Sequence, residues 1–244
     1  MDLGLSGKKA VVTGGRRGIG AAIVSELEAA GVEVLQLSKS DGFDLLDRSL
    51  GGGYDRACAR LALNEPDILV NNAGDNLGVT DPRCSFLDWE RVMWLNFNVC
   101  VEFANIALDG MCRRGWGRIV NISSCSGVEN RGPITYGAAK AALTAYTRGM
   151  GRILAIENPG IVMTAVLPGL VLTEGGHWDR VMKERPEHAE KYLREQSPLS
   201  RFGLPEEIAP MVAFCCSQHA SFMHGAIVPV DAGLSKGYQV QNWL

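Results

Sequence analysis

Tyr136 and Lys140 stand four residues apart in the segment YGAAK, a spacing that puts both side chains on one face of a helix. The segment that they begin, YGAAKAALTAYTRGMGRILA, is rich in alanine and predicts a helix. A lysine ammonium one helical turn from a tyrosine favours the phenolate and lowers its pKa, which makes the pair a candidate for proton transfer. The alternative is a surface tyrosine beside a solvated lysine.

A second segment whose residue types suggest a functional role is TGGRRGIG, from Thr13 to Gly20. It follows the apolar segment KAVVT, a predicted strand, and precedes AAIVSELEAAG, which has helical periodicity. Glycines at such a turn let the backbone approach a pyrophosphate, and the helix N-terminus offers unbonded N–H groups and a positive dipole end. The pattern T-G-x-x-x-G-x-G therefore predicts a dinucleotide-binding turn, with a tight turn that binds nothing as the alternative.

The elements that must position these residues alternate between strand and helix along the chain. Further strands are predicted at Val32–Leu37, within Asp67–Gly74, at Gly117–Ser123, at Ile161–Gly169 and in GAIVPVDAG. A long helix is predicted in SFLDWERVMWLNFNVCVEFANIALDGM, with Ser85 and Asp88 as a capping box, and another opens at Pro205. This alternation predicts an α/β fold, a Rossmann-type doubly wound parallel sheet with helices on both faces, in a single domain over residues 1–244.

Composition excludes several classes of function. The net charge is −3 and no run of Lys or Arg suggests a nucleic-acid surface. No apolar stretch reaches the roughly 18 residues of a membrane span, and the N-terminus lacks a signal-peptide pattern, so a cytoplasmic protein is expected. Seven cysteines without C-x-x-C spacing and four histidines without useful spacing predict neither a disulfide framework nor a metal site.

Three more segments complete an ordered set. NNAG (Asn71–Gly74) follows a strand, SSCSG precedes the tyrosine, and PGLVLT (Pro168–Thr173) ends a later strand. In this order, together with TGGRRGIG and YGAAK, they resemble the short-chain dehydrogenase/reductase family, and in particular its members similar to 3-oxoacyl-ACP reductases. The resemblance extends from Lys9 to Gly233. It implies hydride transfer between a nicotinamide and a carbonyl or secondary alcohol of a small molecule.

The same resemblance implies roles for individual residues. Tyr136 matches the family's acid/base, and Lys140 matches the partner that lowers its pKa and holds the nicotinamide ribose. Ser124 lies three residues before Gly127 and matches the serine that hydrogen-bonds the substrate oxygen; Ser123 is its competitor.

Asn96 matches the asparagine that supports a proton-relay water beside the lysine, with Asn98 as its competitor. The positions that the resemblance assigns to the coenzyme, besides Tyr136 and Lys140, are Gly14, Arg17, Gly18, Ile19, Gly20, Ser38, Lys39, Asp44, Leu45, Asn72, Ala73, Gly74, Pro168, Gly169, Val171 and Thr173.

The residues after the second predicted strand favour NADP(H) over NAD(H). Ser38 stands where NAD-preferring members hold an acid, and Lys39 follows it. Together with Arg17 they offer hydroxyl and cationic groups to a 2′-phosphate, while Arg16 is expected to face solvent. Two features count against this preference: the family's helix at this place is missing or reduced to a turn, which would open the adenine pocket, and Asp41 is placed to approach the ribose and favour NAD(H).

The polar segment Thr173–Leu204 interrupts the strand–helix rhythm and predicts a lid, with a helical stretch HWDRVMKERPEHAEKYLREQ. Its cations would face an anionic substrate or form a solvated helix face. Asn130 and Arg131 are expected to border the substrate pocket. In VDAG, Ala232 replaces a glycine that the family usually has.

Family members assemble as tetramers or dimers through the two long helices after the fourth and fifth strands of their sheet. Tyr238 and Trp243 near the C-terminus are suitable anchors for a neighbouring subunit. We therefore expect a homotetramer, or else a homodimer. Three functions are in play: an NADPH-dependent carbonyl reductase, an NAD-dependent alcohol or diol dehydrogenase, and a non-catalytic protein that senses the coenzyme.

Overall fold

The computed structural model describes residues 1–129 and 132–236 of the 244-residue chain. Within them, six strands form one sheet: β1 (Lys9–Thr13), β2 (Glu33–Leu37), β3 (Ile68–Asn71), β4 (Gly117–Ile122), β5 (Ile161–Pro168) and β6 (Ile227–Val230). Their order is β2-β1-β3-β4-β5-β6, and every neighbouring pair is parallel. The strand order reverses between β1 and β3, and ligands of such sheets bind in the crevice at that point.

The helices are α1 (Gly18–Ala29), α2 (Gly53–Asn64), α3 (Phe86–Met93), α4 (Val99–Arg114), α5 (Ile134–Glu157), α6 (His177–Glu184), α7 (Pro186–Gln196) and α8 (Pro205–Cys216). A short π-helix, Trp94–Asn98, joins α3 to α4. Among the described residues, every helix is too short or too polar to span a lipid bilayer.

Helices cover both faces of the sheet. On one face, Val12 packs in a core with Ile23 of α1 and Val212 of α8. On the other face, the neighbouring residue Val11 packs in a core with Leu61 of α2 and Phe103 of α4. Successive strand residues point to opposite faces, so strands buried on both faces are apolar throughout. The predicted doubly wound α/β fold is confirmed.

Three helical segments differ from the prediction. The long helix predicted after β3 is divided by the π-helix into α3 and α4. The lid helix breaks at Arg185 (φ −144°, ψ 63°) because the residue before a proline, here Pro186, avoids the α-helical region. Helix α2 was not predicted.

The chain after β2 turns back at once. A 3-10 turn, Lys39–Asp41, is followed by Gly42 with φ +86°, a left-handed conformation that suits glycine. No strand lies between Leu37 and Ile68, all of which are described, so β2 is the edge of the sheet. The predicted reduction of a helix to a turn is therefore confirmed.

Candidate active site

Tyr136 and Lys140 lie one turn apart near the start of α5, and their side chains share one face. The Lys140 ammonium is 5.6 Å from the centre of the Tyr136 ring. Lys140 is only 2% exposed, and its Nζ donates a hydrogen bond of 2.9 Å to the carbonyl oxygen of Ile122 at the end of β4. The lysine is thus held at the C-terminal edge of the sheet, where the crevice lies.

The pKa of Tyr136 shifts in the direction opposite to the one expected. Burial raises this pKa to about 12; a side-chain hydrogen bond with Ser124 lowers it, and the Asp75 carboxylate raises it. Burial also lowers the pKa of Lys140. The desolvation of the phenolate therefore outweighs any help from the ammonium group.

The two candidate serines have different partners. The buried Ser123 hydroxyl hydrogen-bonds the Lys140 carbonyl oxygen at 3.0 Å and the Thr144 hydroxyl at 3.1 Å. The Ser124 side chain accepts a hydrogen bond from the Ser126 N–H and bonds Tyr136. Only Ser124 thus reaches the tyrosine, which favours it as the substrate-binding serine.

Asn96 is completely buried in the π-helix, whereas its competitor Asn98 is exposed. The Asn96 Nδ2 donates hydrogen bonds of 2.8 Å to the carbonyl oxygens of Asp75 and Val92. Its Oδ1 has no hydrogen-bond partner among the described residues. A Cβ on Gly74 would lie 2.6 Å from that oxygen and 3.0 Å from Lys140 Nζ, so the glycine leaves room where the two groups meet.

The glycine turn has the shape that a pyrophosphate needs. Gly14 and Gly18 have φ of +66° and +54°, and a Cβ on Gly20 would lie 2.1 Å from the Gly14 carbonyl oxygen. Helix α1 begins after Arg17 with no side-chain cap and no acidic residue in its first turn. The first N–H groups of α1, at Gly18, Ile19 and Gly20, are therefore available to an anion.

The NNAG segment braces this turn. Asn72 Nδ2 donates hydrogen bonds to the carbonyl oxygens of Thr13 (2.9 Å) and Gly14 (3.1 Å). In return, the Thr13 hydroxyl accepts from the N–H groups of Asn72 and Ala73 at 2.9 Å each. Thr13, the first residue of the predicted turn, thus joins the turn to NNAG, a contact that its place directly before the first glycine does not reveal.

The Pro-Gly segment after β5 meets the same turn. Pro168 ends β5, Gly169 donates to the Val230 carbonyl oxygen, and Val171 bridges to Gly203. A Cβ on Gly18 would lie 3.0 Å from the Thr173 methyl carbon. A cavity of about 260 Å³ adjoins this segment and is lined by residues that include Gly169, Val171, Arg201 and Asp231, but none of the four predicted catalytic residues.

The turn after β2 carries two ion pairs. Lys39 Nζ lies 2.8 Å from Asp44 Oδ2, and Arg16 Nε lies 2.8 Å from Asp41 Oδ2. As expected, Arg16 is exposed, with 56% of its side chain accessible to solvent, but it also binds a carboxylate 25 residues away along the chain. Asp44 accepts a hydrogen bond from Lys39, and this bond lowers the pKa of Asp44.

Other side chains at this end of the crevice are buried. The Ser38 side chain is 5% exposed, and its hydroxyl has no hydrogen-bond partner among the described residues. Leu45 is buried, and its carbonyl oxygen accepts a hydrogen bond of 2.9 Å from the Trp94 indole.

The lid is held by an aromatic cluster in which the Trp178 ring lies 4.8 Å from that of Tyr192 and 5.2 Å from that of Phe202. Burial lowers the pKa of His177 at the start of α6, while Asp75 acts to raise it. Asp75 therefore acts on both the lid and Tyr136, and sequence reasoning missed it even though it directly follows NNAG. Asn130, Arg131, Tyr238 and Trp243 lie outside the described residues.

A strand-order reversal with a glycine turn on one side and a tyrosine–lysine pair on the other defines an NAD(P)-dependent oxidoreductase. The chain belongs to the short-chain dehydrogenase/reductase family: a family model described as enoyl-(acyl carrier protein) reductase matches residues 55–235. The predicted family and class of enzyme are confirmed.

Similar proteins agree with this assignment. The chain is 35% identical to the 3-oxoacyl-[acyl-carrier-protein] reductase FabG of Aquifex aeolicus, over 96% of this chain and 100% of the relative. It is 33% identical to the acetoacetyl-CoA reductase of Cupriavidus necator, over 93% and 98% of the two chains. Its structure superposes on the L-sorbose reductase of Gluconobacter frateurii, complexed with NADPH and L-sorbose, with a TM-score of 0.81, 28% identity and coverage of 97% and 99%.

Proposed function

We propose that this enzyme is an NADP(H)-dependent oxidoreductase that transfers hydride between the nicotinamide and a carbonyl or secondary alcohol of a small molecule. The observation that carries the proposal is the convergence of Tyr136, Lys140 and Asn96 beside the glycine turn. Ser124 bonds the tyrosine from the neighbouring loop. These four residues are the predicted catalytic set.

The bound coenzyme supplies the hydride that the carbonyl carbon receives during reduction. Tyr136 donates its phenolic proton to the carbonyl oxygen, and the Ser124 hydroxyl donates a hydrogen bond to the same oxygen. The Lys140 ammonium opposes the charge of the phenolate that remains, and it would also hold the nicotinamide ribose. Asn96 directs its unpartnered Oδ1 to the place where Lys140 ends, which suits a proton-relay water.

The preference for NADP(H) is supported by the unpartnered, buried hydroxyl of Ser38 and by Arg17, which takes part in neither ion pair of this turn. A 2′-phosphate needs hydrogen-bond donors and cations. The similar L-sorbose reductase is complexed with NADPH. Use of NAD(H) is the second candidate, because Asp41 and Asp44 bring two carboxylates to the same turn.

Two substrate classes follow from the relatives. The acyl-carrier-protein and CoA reductases act on 3-oxoacyl thioesters, and the sorbose reductase acts on a ketose. We propose carbonyl reduction of a 3-oxoacyl thioester as the first candidate, since both curated relatives share at least 33% of their residues with this chain over nearly its whole length. Initial rates with acetoacetyl-CoA and with L-sorbose at equal concentrations separate the two.

The test of the acid/base role is Tyr136→Phe, which removes the proton donor and keeps the ring. We expect kcat to fall by roughly 10² or more with the better substrate, while NADPH binding is kept. Tyr146→Phe on the same helix is the matched control, because the buried Tyr146 hydroxyl has no partner among the described residues. Near-normal turnover by Tyr136→Phe would refute the proposal.

A homotetramer is also proposed, with a homodimer as the alternative. This sheet has no strand at Asp44–Leu45, so the family's fourth and fifth strands correspond to β3 and β4 here. The two interface helices, which follow those strands, therefore correspond to α4 and α5. Helix α5 exposes Ile153 and Ile156, which lie one turn apart on the same side of the helix.

A further inference from the structure

The crevice between the glycine turn and the end of β2 holds two buried polar oxygens without a hydrogen-bond partner among the described residues. They are the Ser38 hydroxyl and Gln36 Oε1. A Cβ on Gly15 would lie 3.1 Å from that Gln36 oxygen, so the side chain packs directly against the turn. Unpartnered buried polar groups are costly, and two of them at one place indicate that a polar ligand completes the site.

The charged residues around this crevice are mostly neutralised in pairs. Arg16 binds Asp41 and Lys39 binds Asp44, each with 2.8 Å between nitrogen and oxygen. Arg17 belongs to neither pair, and its Nη1 lies 3.5 Å from the place that a Cβ on Gly175 of the lid would occupy. Arg16, Arg17 and Lys39 against these two carboxylates leave one positive unit, and Arg56, whose Nη2 donates a hydrogen bond to the Gly42 carbonyl oxygen, adds another cation beside the turn.

The short turn is what brings the carboxylates here. The Ser38 carbonyl oxygen accepts hydrogen bonds from the N–H groups of Asp41 (2.9 Å) and Phe43 (3.1 Å), and Gly42 reverses the chain. Asp41 and Asp44 are thereby folded back toward the glycine turn and Lys39. A full helix after β2 would carry the following residues away from this place, since each helical residue advances the chain by about 1.5 Å.

Resting on the proposed function, we infer that Asp41 and Asp44 determine coenzyme selectivity by competing with the 2′-phosphate of NADP(H) for Arg16 and Lys39. The phosphate carries a charge of about −1.5 to −2 at pH 7. A cation that turns to it leaves a carboxylate unpaired beside the phosphate. The 2′-hydroxyl of NAD(H) is neutral and can donate to a carboxylate, so both ion pairs persist with that coenzyme. The enzyme therefore binds both coenzymes, with a preference for NADP(H) much smaller than its three cations alone would give.

The test measures the Kd of NADPH and of NADH, by coenzyme fluorescence, for the wild type, Asp41→Asn, Asp44→Asn and the double variant. Asparagine keeps the size and one acceptor oxygen, so residue 44 can still accept the hydrogen bond that the Leu46 N–H donates. Each single variant should bind NADPH roughly three- to tenfold more tightly, because a like charge near the phosphate has been removed, and NADH no more tightly than the wild type. The gain should shrink in 0.5 M salt, since these charges are exposed and the Debye length falls below about 8 Å.

Glu65→Gln is the matched control. It makes the same change of net charge and breaks a surface ion pair with Arg113. Glu65 precedes the start of β3, whereas the glycine turn follows the end of β1. Because β1 and β3 are parallel, Glu65 lies at the N-terminal ends of the strands and the glycine turn at their C-terminal ends. The control should change neither Kd by more than twofold.

The outcomes separate the two proposals. NADPH affinities of Asp41→Asn and Asp44→Asn within twofold of the wild type, or a gain equalled by Glu65→Gln, would overturn this inference and leave the proposed function standing. If the wild type binds neither NADPH nor NADH, the proposed function is overturned and the inference with it.

Discussion

Adjacent serines can serve different purposes when only one of them faces the crevice. The Ser123 hydroxyl joins the end of β4 to α5 through the Lys140 carbonyl oxygen and Thr144. Ser124, one residue further, bonds Tyr136. The first hydroxyl is expected to stabilise the fold, and the second to act on the substrate.

Ser124→Ala should therefore lower kcat by roughly a hundredfold, the usual cost of losing one donor to a developing oxyanion, and should lower the free energy of unfolding by about 1 kcal/mol because the Ser126 N–H loses its acceptor. Ser123→Ala should lower the free energy of unfolding by about 1 kcal/mol and keep most of the activity. Steady-state kinetics and urea unfolding of both variants measure this. The reverse pattern would make Ser123 the substrate-binding serine.

The pKa of Tyr136 predicts how the two reaction directions depend on pH. Burial raises this pKa to about 12, so the protonated phenol that reduction requires predominates at every pH below that value. Reduction should keep its kcat/KM between pH 6 and 9. Oxidation requires the phenolate, and its kcat/KM should rise by about tenfold per pH unit over the same range.

Initial rates in both directions across buffers of constant ionic strength check this pH dependence. A fall in the kcat/KM of reduction with an apparent pKa near 7 would contradict it. That result would mean that Lys140 acts on the tyrosine more strongly than desolvation does.

The π-helix determines which side chains of its helical segment face the site. It lies within the helical segment from Phe86 to Arg114 and carries Asn96. The extra residue in a π turn changes which side chains face inward, and such turns are common at functional sites. Asn96 is buried against Asp75 and Gly74 as a result, while Asn98 is exposed.

The turn after β6 contains a residue in an unfavourable conformation. Ala232 has φ +56°, in the left-handed region that disfavours residues with a Cβ, at the place where the family usually has glycine. Ala232→Gly should raise the free energy of unfolding by about 1 kcal/mol. Thermal or urea unfolding measures this change.

Ala226→Gly is the comparison for this variant, because Ala226 precedes β6 and has no positive φ. That substitution should lower the free energy of unfolding, since glycine gains freedom in the unfolded chain and the methyl contacts are lost. Equal effects of the two substitutions would show that backbone strain at Ala232 is absent.

The regular elements could be predicted to different degrees. All six strands were predicted because strands of such a sheet are short apolar runs. The glycine turn and the tyrosine–lysine pair were predicted because each depends only on residues close together in the sequence. The ion pair between Arg16 and Asp41 could not be predicted, since it depends on how the chain folds back over 25 residues. The raised pKa of Tyr136 depends on burial by distant segments and was missed for the same reason.

The carboxyl ends of the parallel strands bring residues from distant parts of the chain together. The ends of β1, β3 and β4 bring the glycine turn, NNAG and the carbonyl of Ile122 together. The segment predicted to be a lid begins next to the glycine turn, where a Cβ on Gly18 would lie 3.0 Å from the Thr173 methyl carbon. The opposite side of α5 takes no part in this site and remains available for another subunit.

That surface of α5 leads to a prediction about assembly. Ile156 is 71% exposed and Ile153 is 44% exposed. Single exposed apolar residues are ordinary, but two on one helix face are suited to an interface between subunits. Ile156→Glu would place a charge on this apolar helix face, so the proposed tetramer should dissociate into smaller species by light scattering. Leu50→Glu makes the same change at a fully exposed loop residue and should leave the assembly intact; a wild type that elutes as a single monomer would contradict the proposal.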